Sequence, residues 1–94
     1  MRLFVNGVIC LRLKNDEYAI LHAFIDKEIL PYACEKINKN YSISQIRWVV
    51  IRTLGLDVTA GLIASLLRQK GIAEKSIGGV THFAISDEFF NQNM

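Results

Sequence analysis

Residues 42–71 set the tightest limit on the fold, because two helices are delimited there within one short stretch. Ser42-Ile43-Ser44-Gln45 fits a capping box, in which the serine accepts from a backbone N–H and the residue three later reaches back. A helix is expected through Ile46, Val49, Val50 and Leu54, ending at Gly55 as a left-handed residue. Asp57 or Thr59 is then placed to cap a second helix, Val58 to Lys70, closed by Gly71. So short a link holds the helices against each other as a helix-turn-helix.

Upstream, a helix is expected to start near Asp16. Tyr18, Leu21, Phe24, Ile25 and Ile29 fall at helical spacing, with His22, Asp26 and Lys27 mostly opposite. His22 and Asp26 are spaced for an ordinary surface pair. Pro31 lacks a backbone donor and disfavours helix at Leu30, so a kink or a break is expected there. Tyr32 to Asn38 reads as a continuation with Ala33, Cys34 and Ile37 on its apolar side.

Both ends carry hairpin signals. Leu3-Phe4-Val5 and Val8-Ile9-Cys10-Leu11 flank Asn6-Gly7, a pair suited to a type I′ turn. That register sets Phe4 against Ile9 and Leu3 against Cys10, so both faces of the ribbon are apolar. Downstream, Ile72 to Ile77 and Val80 to Ile85 flank Gly78-Gly79. The residues from Asn91 to Met94 are expected to fray.

The chain is 51% hydrophobic and 21% charged, which excludes intrinsic disorder. The longest apolar stretch, Leu54 to Leu67, contains Asp57 and is too short for a membrane span of roughly 20 residues. Charges arrive too early after Arg2 for a signal peptide to be expected. Cys10 and Cys34 lack any ligand-like spacing, so they read as reduced core thiols of a cytoplasmic protein, and no metal site is expected. The formal net charge is +2, but it is uneven. Residues 36–86 hold seven basic side chains against two acidic ones. A basic half suits a polyanionic partner.

Helix, capped helix, tight turn, helix and glycine-tipped hairpin together resemble the winged helix-turn-helix superfamily. The stretch 58–72, with Leu67, Gly71 and Ile72 at its exit, is similar to that family's recognition helix, and Gly78-Gly79 to the tip of its wing. The resemblance covers roughly residues 17–86. It implies an α+β fold with three helices and a C-terminal wing, to which the N-terminal hairpin is an addition. One domain over 1–94 is expected: hairpin 1–15, winged-helix core 16–86 and tail 87–94. In that superfamily the third helix commonly enters the major groove.

On that helix Ala60, Ile63, Ala64 and Leu67 form one stripe, with Leu66 at its edge. Opposite lie Gly61, Ser65, Arg68 and Gln69; the last three carry donors and acceptors suited to base edges, and small Gly61 and Ser65 allow close approach to the duplex. Arg47, Thr59, Lys70, Lys75 and Thr81 complete the expected DNA-binding set, with Lys70, Lys75 and Thr81 placed for phosphates; the alternative for Arg68, Gln69 and Lys70 is simple solvation at the helix C-terminus. Arg47 and Arg52 either clamp phosphates or cover the apolar body of Trp48, itself expected in the core or at an interface. His82 is expected to be packed or solvated. Leu62 sits awkwardly between the core stripe and the exposed face.

No GxSxG, HExxH or phosphate loop is present, so no catalysis and no cofactor are expected. The leading expectation is a small sequence-specific DNA-binding protein, a transcriptional regulator acting on double-stranded DNA. The alternative is a winged-helix adaptor or inhibitor that binds a protein instead. Phe4, Ile9, Leu11 and Leu62 form the expected partner interface. The apolar surplus points to a partner surface, most simply a second copy of the chain in a homodimer.

Overall fold

Residues 14–94 are described by the structure, a computed structural model. They form an α+β arrangement of four α-helices and one antiparallel hairpin. The expected N-terminal hairpin lies outside the described residues.

Helix α1 runs Asn15–Phe24. Asp16 and Glu17 in its first turn complement the helix dipole, and Glu17 Oε1 accepts from the Lys14 N–H at 2.9 Å. The stripe buries Leu21, Phe24, Ile25 and Ile29, while Tyr18 at its start stays exposed, its ring tilted against that of His22 at 4.9 Å. Ile25–Ile29 then widens into a π-helical turn, where the Leu30 N–H reaches back to the Ile25 carbonyl. Leu30–Tyr32 tightens into a 3-10 turn. Pro31 has no N–H to continue the ladder, so the helix breaks there.

The expected continuation from Tyr32 to Asn38 does not form. Ala33 is extended and bridges Ile85 in antiparallel sense. The Cys34 N–H donates to the Ala84 carbonyl at 2.9 Å, Asn38 N–H to Phe83 at 3.0 Å, and Ser86 N–H to Tyr32 at 2.9 Å. Once the proline has broken the helix, the far end of the C-terminal hairpin supplies partners that a helix would have supplied locally. Cys34, expected in the core, is exposed, and its thiol donates to the Lys36 carbonyl at 3.3 Å.

Helix α2 runs Ile43–Leu54. Its capping box is formed: Ser42 Oγ accepts from the Ser44 N–H, and Gln45 Oε1 accepts from the Ser42 N–H at 2.8 Å. Gly55 ends it at φ 69°, a conformation that favours glycine. Val58 is buried but lies before the next helix rather than in it. Helix α3 runs Ala60–Gln69, capped by Thr59, whose Oγ1 accepts from the Leu62 N–H at 3.1 Å. Asp57 does not take that role.

Strands β1 (Glu74–Ile77) and β2 (Val80–Phe83) pair in the register Glu74–Phe83 to Ile77–Val80. Gly78 and Gly79 both have positive φ, as a type I′ turn requires. The Ala84 N–H extends the pairing to the Ala73 carbonyl at 2.9 Å.

Helix α4, Asp87–Asn93, corrects both the three-helix expectation and the frayed end. Phe89 and Phe90 are fully buried, and Phe90 stacks on Tyr41 at 4.3 Å. Tyr32 Oη donates to Gln92 Oε1 at 2.6 Å, and the Arg52 guanidinium donates to the Asn93 carbonyl. Two adjacent buried phenylalanines give this short helix an apolar area that its length alone would not. The core lies where α1, α2, α3, β2 and α4 meet. No helix among the described residues is long and apolar enough to cross a membrane.

Candidate nucleic-acid interface

Burial divides α3 into two faces. Ile63, Ala64, Leu66 and Leu67 are buried, Ala60 and Leu62 pack partly against the core, and Gly61, Arg68 and Gln69 are exposed. Ser65 is half-buried between them. Leu62 is thus a flank of the core, which accounts for its position at the edge of the polar face. The remaining expected interface residues, Phe4, Ile9 and Leu11, lie outside the described residues.

The positions around α3 are held by local contacts. Arg47 reaches from α2 across the turn, where its Nε–H donates to the Val58 carbonyl at 2.7 Å and Nη2 lies 3.9 Å from Asp57. Arg47 and Thr59 together fix the entry to α3. Arg52 takes the other course open to an arginine beside Trp48: its guanidinium lies 4.5 Å over the indole. Trp48 nevertheless stays 49% exposed, on the solvent side of α2 rather than in the core.

At the far end of α3, Gly71 adopts φ 83° and the Ile72 N–H donates to the Leu67 carbonyl at 3.2 Å. This reversal brings β1 back beside the last helical turn. Arg68 then meets Glu74 through two hydrogen bonds, Nε–H to Oε2 and Nη2–H to Oε1, the second at 3.1 Å. The bonds from Arg68, aided by its charge, hold the Glu74 carboxyl below the usual carboxylate value and raise the Arg68 guanidinium above its own. Lys70 pairs with Asp26 of the π-helical turn at 2.7 Å.

Gln69 and Lys75 are exposed, and Lys75 has no ion pair among the described residues. Thr81 is half-buried on β2 opposite Ser76. His82 is buried, with Nδ1 2.7 Å from the Asn38 carbonyl and 3.1 Å from that of Tyr41. Carbonyls only accept, so Nδ1 carries the proton. His22 does not pair with Asp26, which is engaged by Lys70.

The structure therefore brings Ser65, Arg68 and Gln69 onto one helix and places Lys70 and Lys75 beyond its end. It ties Arg47, Arg68 and Lys70 to acids that a count of charges along the chain had left unassigned. Glu74 was the residue sequence reasoning missed. Its signal was present in Gly71, since a left-handed glycine after a helix folds the next residues back along the last turn. No group of three or more His, Cys, Asp or Glu side chains among the described residues is arranged to hold a metal ion.

Compared with known protein families, curated proteins and solved structures, the chain matches none.

Proposed function

We propose that this chain is a winged-helix DNA-binding protein that regulates transcription by occupying a double-stranded site. The observation that carries the reading is the polar face of α3, with Gly61, Arg68 and Gln69 exposed and Ser65 half-buried, set beside a two-stranded hairpin bearing Lys75. The order of elements supports it as well: α1, an extended segment at Ala33, α2, α3, then the hairpin. In this reading α3 lies in the major groove, where Ser65, Arg68 and Gln69 meet base edges. Lys70, Lys75 and Thr81 contact phosphates, which position the protein without reading sequence. Arg47 and Thr59 fix the approach of α3 and keep donors for a phosphate, Arg47 through its Nη groups and Thr59 through its hydroxyl hydrogen.

The test is titration with random-sequence duplex at two salt concentrations. Binding that weakens steeply as salt rises supports the reading. No binding at about 50 mM salt, where counterion release favours association most, removes it. The reading includes a homodimer on paired half-sites, and a sedimentation mass equal to one chain on DNA and off it removes that part.

A second reading has its own observation. Trp48 is half exposed on α2, and three cations of the basic half, Arg47, Arg68 and Lys70, are paired with acids. An exposed indole on α2, together with a basic half whose charge is partly neutralised, suits a protein-interaction module, an adaptor or inhibitor. Leu62→Glu and Trp48→Ala separate the two: loss of a partner with salt-sensitive DNA affinity absent favours the second reading.

A further inference from the structure

We infer that Glu74 is a positioning residue that presents Arg68 to guanine, so that the Glu74–Arg68 pair, and not Arg68 alone, sets base preference at one position of the bound duplex. The inference rests on the DNA-binding reading above and names the base that the same site takes.

The donors that Glu74 leaves free decide what Arg68 can meet. A guanidinium carries Nε–H and two hydrogens on each Nη. Glu74 engages Nε–H and one Nη2–H, the side edge of the fork. Both Nη1 hydrogens and the second Nη2 hydrogen remain. The unused end edge therefore still offers two parallel N–H groups. Guanine presents O6 and N7 as adjacent acceptors in the major groove, the only base whose edge accepts both donors of such a fork.

The two partners differ in charge and in exposure. The Arg68 side chain is 57% exposed, whereas that of Glu74 is 28% exposed and anchored in a strand opposite buried Phe83. The more buried partner thus holds the more exposed one. An arginine held on its side edge loses less rotamer freedom when its end edge meets a base, and it is less able to swing to a phosphate. Glu74 also carries a negative charge beside the helix that would enter the groove. It repels backbone phosphates on every sequence, and this cost is offset only where Arg68 finds its acceptors. Discrimination comes from the hold, while the repulsion lowers affinity for every sequence alike.

The experiment selects binding sites from a randomised duplex library with the unmodified protein, then measures affinities of Arg68→Ala, Glu74→Gln, Glu74→Asp and the double variant Arg68→Ala/Glu74→Gln. Titrations use the selected duplex, its single-base variants and random duplex. Circular dichroism confirms that each variant is folded. The expected selected site contains a guanine whose replacement weakens binding by roughly 5- to 150-fold, the range for one bidentate base contact. Glu74→Gln binds random duplex more tightly than the unmodified protein but discriminates at that guanine by at least about fivefold less. Glu74→Asp keeps the charge without the reach, so discrimination stays reduced while random-duplex affinity does not rise. The double variant discriminates no less than Arg68→Ala alone, because the effect of Glu74 passes through Arg68. Full discrimination in Glu74→Gln, or a preference that survives Arg68→Ala, overturns the inference while the DNA-binding reading stands. Failure to bind any duplex overturns that reading and the inference with it.

Discussion

The backbone carbonyl of Asn38 accepts a hydrogen bond from Nδ1 of His82 at 2.7 Å, which joins the loop before α2 to the strand that follows α3. The Asn38 side chain completes the junction. Its Nδ2 donates to the Ile85 carbonyl and to Asp87, both at 2.8 Å, and its Oδ1 accepts from the N–H groups of Asn40 and Tyr41. Asn38 is buried, so these groups have little access to water. Asn38→Ala strands several of them at once. At about 1–3 kcal/mol for each unsatisfied buried group, with part recovered by relaxation, the expected loss of unfolding free energy is about 2–4 kcal/mol. Urea unfolding checks it, with Asn40→Ala as the exposed comparison at under about 1 kcal/mol.

Helix α4 is held by its phenylalanines. Phe90 is fully buried, stacks on Tyr41 and meets Phe89 edge-on at 5.1 Å. Phe90→Ala removes a ring from the core and leaves a cavity, which costs about 3–5 kcal/mol. Thermal melting that falls by only a degree or two would show that α4 packs less tightly than the burial of Phe90 requires.

The turn between α2 and α3 makes a separable prediction. Arg47 donates to the carbonyl of buried Val58, and Gly55 ends α2 with positive φ and open space where a Cβ would go. Arg47→Ala should lower stability by about 1–2 kcal/mol through the lost charged hydrogen bond. Gly55→Ala should lower it by about 1 kcal/mol through backbone conformation alone, since no atom obstructs the new methyl. Denaturant midpoints of the two variants measure each effect.

On DNA, Arg68 and Lys75 should behave differently. Arg68→Ala is expected to weaken a selected site by about 1–3 kcal/mol and relax the preference at one base. Lys75→Ala is expected to weaken every sequence alike and reduce the salt slope by about one. Equal, small losses on all sequences for both variants would remove base reading from α3.

Local signals account for what was legible in the sequence. Ser42 with Gln45, Gly55, Thr59, Gly71 and Gly78-Gly79 each encode a backbone geometry within a few residues, and each element they delimit is present. The apolar stripe of α3 was legible for the same reason. Residues 33–38 were not, because their conformation is set by partners some 50 positions away, at Phe83 to Ser86, and no local pattern states that pairing. Asn38 stands at the end of the expected helical continuation, and no local pattern states that it is buried against β2 and the start of α4. Phe89 and Phe90 lie in a short polar-flanked helix whose period is too brief to declare a core face. The candidate site divides along the same line. Which residues share the exposed face of α3 follows from 100° per residue, whereas the pairing of Arg68 with Glu74, Lys70 with Asp26 and Arg47 with Val58 depends on how elements pack.

The Glu74–Arg68 pair should also be visible in its titration. Glu74 in the folded protein accepts two hydrogen bonds from Arg68, and its carboxyl titrates below the ordinary glutamate value of 4.5. A carboxyl lowered by folding binds its proton less readily in the native than in the unfolded chain. Its contribution to stability is therefore present above the unfolded value and is lost as pH falls through the lower, folded one. Because the pair is solvent-exposed, the effect on global stability should be small and further reduced by salt. The carboxyl itself is the better reporter. Carbon-detected NMR titration should show the Glu74 side chain protonating below 4.5, and in Arg68→Ala the midpoint should return toward that value. An unchanged midpoint in Arg68→Ala would mean that the two side chains are not paired in solution.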